Sequence, residues 1–193
     1  MPQSQPAPPA SLDQDWSERR ADARRNHERI IAAALEVFSE RGLAATVPEV
    51  ANRAGVGKAT VYRSFATKAD LIEAVADYQL RWMEQRVVQA LAESDAYQAL
   101  ADFTGDVAER LAGDRVLADV VPTIFQARNR SIRAHLNGLV TAAREQGGIG
   151  PEVTVEDLQI LFGGYIRQLV AMEIRDPAVW RRYSELVLKA LST

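Results

Sequence analysis

Along most of this chain apolar residues recur three and four positions apart, and no apolar/polar alternation persists long enough to make a strand. Ile31, Ala34, Leu35 and Phe38 fall on one helical face, and Val50, Ala51 and Ala54 do the same a little further on. Capping chemistry marks where helices begin. Thr46-Val47-Pro48-Glu49 reads as a capping box with proline in the first turn, where a missing N–H costs nothing. Thr67-Lys68-Ala69-Asp70 and Thr154-Val155-Glu156-Asp157 repeat the box with aspartate, and Asp176-Pro177 is an N-cap followed by proline. Gly42, Gly55, Gly113 and the pair Gly147-Gly148 mark stops. The pattern predicts an all-α protein of about nine helices. Three short helices run up to Phe65, a long one follows from Lys68 to about Leu91, and the rest come after.

The start of the chain reads differently. Pro2, Pro6, Pro8 and Pro9 stand among Gln, Ser and Ala with little to bury, so a flexible tail is expected over residues 1–22. A first helical domain is expected over 23–83, with its short-helix motif at 46–65, and a second over 84–193.

Composition then narrows the function. The 193 residues are 47% hydrophobic and 25% charged, an ordinary soluble mixture. No apolar run approaches the roughly 18 residues of a membrane span, and MPQSQPAPPA lacks the basic start and apolar block of a secretory signal. A cytoplasmic protein without a membrane partner is expected. The absence of cysteine removes disulfides, Cys-ligated zinc and a thiol nucleophile. Neither histidine, His27 or His135, follows a Glu by three residues as a di-iron bundle would need, and no Ser/His/Asp arrangement is recognisable. No catalytic residue, metal or cofactor is therefore expected, and a helical-bundle enzyme is the distant alternative.

Charge is unevenly placed. Residues 16–68 hold ten Lys/Arg against six Asp/Glu, which leaves the remainder strongly acidic in a chain of net charge −3. A basic end on an acidic body suggests that only that end meets a polyanion. Within it, Val47 to Ala54 and about Lys58 to Phe65 form two short helices joined by a tight turn at Gly55-Val56, the helix-turn-helix signature. Val61 and Phe65 share the inner face of the second helix; Ala59, Thr60, Arg63 and Ser64 share the outer one. That outer face is small, hydroxylated and basic, as a helix entering the major groove needs, and Tyr62 at the flank can reach a phosphate.

These residues resemble a known family. The stretch GLAATVPEVANRAGVGKATVYRSFATKADLIEAV, with IIAAALEVFSERG upstream, is similar to the DNA-binding segment of the TetR family of transcriptional regulators over about residues 24–75. The resemblance implies that Thr46 caps the helix abutting the DNA backbone. It implies that Lys58, Ala59, Thr60, Arg63 and Ser64 form the recognition surface, and that Tyr62 and Lys68 hold phosphates. Gly57 departs from a position often occupied by Ser, and Ser64 from one where His or an aromatic is common, so the operator cannot be borrowed from relatives. Arg19, Arg20, Arg24 and Arg25 precede the first helix and can reach the minor groove or backbone, and Arg24 and Arg25 are counted with the DNA-binding set.

The remaining chain is similar to the family in architecture only. Val155, Leu158, Leu161, Phe162, Tyr165, Ile166, Leu169, Val170 and Met172 make the helix after Thr154 apolar over more than one face. Gly163-Gly164 in its middle suits close approach by another backbone. Val179, Trp180, Tyr183, Leu186, Val187 and Ala190 form the stripe of the last helix. The resemblance implies that these two helices, within 154–192, pair with their two-fold mates in a homodimer. A small-molecule effector is expected between the middle helices, lined by Phe103, Val107, Phe125, Leu136, Tyr165 and Gln168, with Arg128, Asn129 or Arg133 as polar handles. Pro122 is a candidate kink that opens space. The function implied is a ligand-responsive repressor on a palindromic double-stranded operator; an activator would need the same reader.

Overall fold

Short-range capping sets most helix boundaries. The computed structural model describes residues 11–114 and 130–193, and among these residues it contains eight α-helices and no strand. They are α1 (Ser11–Arg41), α2 (Val47–Ala54), α3 (Lys58–Ser64), α4 (Lys68–Leu91), α5 (Ala96–Gly113), α6 (Arg130–Glu145), α7 (Val155–Ala171) and α8 (Pro177–Leu191), with a 3-10 turn at Gly42–Ala44. The three boxes open α2, α4 and α7 as expected. At α4, Thr67 N–H donates to Asp70 at 2.8 Å and Asp70 N–H donates back to the Thr67 hydroxyl at 3.1 Å. At α7 the Thr154–Asp157 pair does the same, and these hydrogen bonds hold the Asp157 carboxyl below the usual carboxylate range. An N-cap not singled out from the sequence, Asp95, opens α5 by accepting from Gln98 N–H at 2.9 Å.

The first helix corrects the expected tail. All four N-terminal prolines precede Ser11, and from there α1 is continuous to Arg41, so residues 11–22 are helical. Low apolar content forbids a core but not a helix: Ala, Arg and Glu are good helix formers, and Arg25 pairs with Asp22 one turn away. Residues 1–10 lie outside the described residues.

Two apolar cores follow. One, in the reading head, gathers Ile30, Phe38, Val50, Val61, Leu71 and Val75 from α1 to the first half of α4. The other fills the body with residues such as Val87, Leu100, Leu139, Trp180 and Leu188. Along α4 the buried residues Leu71, Val75, Gln79, Met83 and Val87 are spaced by four, and the one polar member falls where the cores meet. Gln79 is satisfied at both ends of its amide: Arg110 Nε donates to Oε1 at 2.5 Å, and Nε2 donates to the buried Asp114 at 2.9 Å. Arg110 in turn lies over the Trp82 ring, 4.3 Å from its centroid. A buried polar layer thus separates head from body.

The last two helices divide their apolar stripes between inside and outside. Trp180, expected at a dimer surface, is 1% exposed in the body core, where its indole N–H donates to the Ile174 carbonyl at 2.9 Å. Val155, Leu158, Phe162, Ile166 and Leu169 also face inward. Ile160, Leu161, Met172, Tyr183 and Leu186 are exposed. Between α5 and α8, Arg181 lies across Gly105, where a Cβ would come within 2.8 Å of its guanidinium. Arg181 donates to Glu109 at 2.6 Å, and Asp106 beside it accepts from Arg86 of α4 at 2.6 Å.

Candidate nucleic-acid interface

The head is built to hold one short helix rigidly. At the start of α2 the Glu49 carboxylate accepts from both the hydroxyl and the backbone N–H of Thr46, each at 2.8 Å, and these bonds hold its carboxyl below the usual range. The helix ends at Gly55 in the left-handed region, φ +63°, where Val56 N–H bonds back to the Ala51 carbonyl at 3.0 Å. Arg29 of α1 donates to the Ala54 carbonyl at 2.7 Å, and a Cβ at Gly55 would come within 2.9 Å of that guanidinium. Two constraints therefore favour glycine at this corner. Val56 packs against the head core as a plug.

α3 then presents its two faces as the periodicity predicts. Val61 and Phe65 are buried, and the Phe65 ring meets that of His27 at 4.9 Å. Lys58, Ala59, Arg63 and Ser64 are exposed and Thr60 is half-buried. Tyr62 is exposed at the flank, with the Lys58 ammonium 5.8 Å from its ring centroid. Arg63 lies back along its own helix, Nε donating to the Ala59 carbonyl at 3.3 Å and Nη2 to the Thr60 hydroxyl at 3.4 Å. A seven-residue helix is about 10 Å long, short enough to enter a groove about 12 Å wide with every outer side chain near a base edge.

The head matches the family model described as bacterial regulatory proteins, tetR family, over residues 30–75. A solved TetR transcription regulatory protein of Mycobacterium vanbaalenii is 30% identical to this chain, covering 91% of it and 99% of that structure, with a TM-score of 0.63. The chain belongs to the TetR family of transcriptional regulators. Among curated relatives, a fatty acid metabolism regulator of Bacillus subtilis is 29% identical over 61% of each chain. A helix-turn-helix transcriptional repressor of Mycobacterium tuberculosis is 37% identical over 42% of this chain and 43% of its own. The match thus spans less than two thirds of these curated relatives.

In this TetR-family head most basic side chains serve the fold itself. Arg53 ties α2 to α1 by donating to Glu36 at 2.8 Å and to Glu40 at 3.0 and 3.1 Å, and Arg41 pairs with Glu49. Lys68, which the resemblance gives to a phosphate, is half-buried and donates to the Leu43 carbonyl at 2.5 Å, locking the 3-10 turn to α4. An ammonium carries three donors, so two remain for a phosphate. The net positive charge of residues 16–68 therefore overstates what faces outward. The partners lie 8, 13, 17 and 25 residues away, beyond the reach of local pattern.

In the body, Phe103 and Leu136 are buried, and Val107 and Tyr165 pack against the same apolar cluster. Burial pushes the Tyr165 phenol well above its ordinary range, offset only in part by Ser184 beside it. Gln168 is exposed, which takes it off the lining of any interior pocket, because position 168 falls on the outward side of α7. Arg133 is exposed and pairs with Glu156. Phe125, Arg128, Asn129 and Pro122 lie outside the described residues. No described helix is long and apolar enough to cross a membrane.

Proposed function

We propose that this regulator is a dimeric, effector-responsive repressor that reads an inverted repeat through α3. The carrying observation is the division of α3: Val61 is fully buried and pins the helix, while Lys58, Ala59, Arg63 and Ser64 point away from the head. In this reading Arg63 and Thr60 address base edges; Thr46, Tyr62, Lys58 and Lys68 hold phosphates. The repressor named among the relatives supports the sign of regulation.

Dimerisation is supported by the outward residues of the last two helices, Ile160, Leu161, Tyr183 and Leu186, and by Gly164, where among the described residues no other element comes within 4 Å of a Cβ. An open glycine amid exposed apolar side chains is what close approach of a second copy needs. A small molecule seated near Phe103, Val107, Leu136 and Tyr165 releases DNA by binding one body conformation more tightly than the other. Recognition helices then no longer match successive major grooves, spaced ~34 Å apart.

Selection from random duplex DNA, followed by sequencing, tests the reading. An inverted repeat should be enriched. A single half-site with no mirrored partner contradicts the dimeric reader, and no enrichment contradicts DNA reading by α3.

A further inference from the structure

Helix α5 lies between α4 and α8 and packs on both. Asp106 and Glu109, three residues apart, share one of its faces. Asp106 divides its two carboxylate oxygens between the neighbouring helices. Oδ2 accepts from Nε of Arg86 on α4 at 2.6 Å, and Oδ1 lies 3.7 Å from Nη2 of Arg181 on α8. Arg181 Nε donates to Glu109 at 2.6 Å. One carboxylate and two guanidiniums therefore tie three helices together.

The same seam runs down to the head. Position 86 of α4 stands one turn after Trp82, and position 106 of α5 one turn before Arg110, whose guanidinium lies 4.3 Å from the Trp82 ring centroid. Arg110 in turn donates to Gln79, where the two cores meet. A contiguous line of paired side chains thus leads from α8 to the junction of head and body, the kind of physical path that can couple distant surfaces. At its far end Tyr183 and Leu186 are exposed on the opposite side of α8 from Arg181. α8 therefore faces the proposed second copy on one side and the seam on the other.

Stability does not account for this arrangement. The four charged side chains keep between 21% and 45% of their surface in solvent, and pairs of that kind add little to folding. Yet α5 gives up helix strength to seat Arg181. Gly105 is buried in the interior of α5, where glycine weakens a helix, and a Cβ there would come within 2.8 Å of Arg181 Nη1. A glycine that weakens its own helix to admit a weakly stabilising guanidinium is explained by the position it gives α8, not by energy.

We propose that Asp106, with Arg181 seated over Gly105, fixes the separation of the two reading heads and so determines which spacing between half-sites the regulator accepts. The inference rests on the dimeric reading above. Neither side chain touches DNA in it; both are positioning residues that act through α4.

The test uses the full chain and the selected inverted repeat, with its half-sites moved apart or together by one and two base pairs, each step about 3.4 Å along the duplex. Wild-type affinity should fall by about tenfold or more for a change of one base pair. Gly105→Ala and Asp106→Asn should bind the original spacing within about threefold of the wild type, and lose less than about threefold on the same change. Both should bind a single half-site as the wild type does. Gly105→Ala should unfold at the wild-type temperature or above, because alanine favours the helix and the guanidinium it displaces is flexible. That readout separates loss of position from loss of stability. Glu156→Gln, which breaks the pair with Arg133 elsewhere in the body, should keep the wild-type spacing profile. A Gly105→Ala or Asp106→Asn protein that keeps that profile overturns the proposal and leaves the dimeric reader standing, as does equal flattening by Glu156→Gln. A wild type indifferent to spacing removes the dimeric reader itself, and the proposal with it.

Discussion

The head and the body solve the problem of a small helical unit in opposite ways. The head is closed: its turns at Gly42–Ala44 and Gly55 are pinned by side chains from elsewhere in the same unit, Lys68 on Leu43 and Arg29 on Ala54, and Arg53 ties α2 to α1 through Glu36 and Glu40. Its core is made largely of Val, Ile and Ala, and its outward apolar surface is small. The body has the larger side chains inside, Trp180 and several leucines, and still leaves Ile160, Leu161, Met172, Tyr183 and Leu186 in solvent. The difference shows where each unit finds its completion. A reading helix must keep its geometry before it meets DNA, so the head is finished alone; in the proposed dimer it is a second copy that finishes the body.

The largest expected effect breaks the body without touching the head. Trp180→Ala removes a fully buried indole and should cost about 3–5 kcal/mol of unfolding free energy by denaturant titration. Hydrogen exchange should rise in α5–α8 and stay nearly unchanged in α2 and α3. Equal loss of protection in both would show that the two cores unfold as one unit and that the comparison is false.

Next comes the separation of reading from holding inside the head. Arg63→Ala should lower affinity for the selected operator by about 1–3 kcal/mol per lost base contact and leave scrambled DNA less affected. Lys68→Ala should weaken binding to all sequences alike and lower the salt dependence by about one ion per half-site. Titrations on both duplexes at several salt concentrations decide it. Loss of operator and scrambled affinity in equal proportion for Arg63→Ala would remove that residue from the base-reading set.

The open side of the body is sharpened by Gly164→Leu. Among the described residues no neighbouring element comes within 4 Å of a Cβ at this position, so the monomer should fold normally, yet the dimer dissociation constant should rise by about tenfold or more in sedimentation. An unchanged dimer would place the interface elsewhere. The smallest effect concerns the inner side of the same helix. The hydroxyls of Tyr165 and Ser184 are buried without a well-formed hydrogen bond among the described residues, so Tyr165→Phe should be neutral or stabilising by about 1 kcal/mol at pH 7. Because burial raises the phenol's pKa, the folded state favours the neutral form. That advantage is complete below about pH 10, where unfolded tyrosine titrates, and is lost as pH climbs beyond it. Urea titrations from pH 8 to 11 should show the wild type losing stability at the alkaline end more steeply than Tyr165→Phe.

What could be read from residues alone follows from how far apart the interacting groups stand. The Thr46–Glu49, Thr67–Asp70 and Thr154–Asp157 pairs are three residues apart, and α2, α4 and α7 begin where they indicate. The inner and outer faces of α3 follow from helical period in the same way. The extent of α1 is not legible from apolar spacing, because its N-terminal part carries no apolar stripe. Trp180 lies in the body core and not at the expected dimer surface, because a stripe of apolar residues does not say which of two neighbours will cover it. Gln79 left a trace, a polar residue in a row spaced by four, but its partners Arg110 and Asp114 are 31 and 35 residues away. The same distance hides the internal partners of Arg53 and Lys68, so a charge count made the DNA surface look more basic than it is.

The polar layer at Gln79 has a mechanical consequence. α4 is one unbroken rod of 24 residues, about 36 Å long, with the head core gripping one end and the body core the other. Apolar side chains interlock and resist sliding, whereas an amide held by a guanidinium and a carboxylate can exchange partners with little change in volume. The layer is therefore the natural fulcrum of a lever. A tilt of about five degrees there, over half the length of α4, displaces its tip by about 1.6 Å, and in a two-fold assembly both tips move at once. In the proposed dimer, two rigid reading heads shifted in opposite directions would change their separation by about twice that, so small movements in the body would be felt in the spacing of the two half-sites.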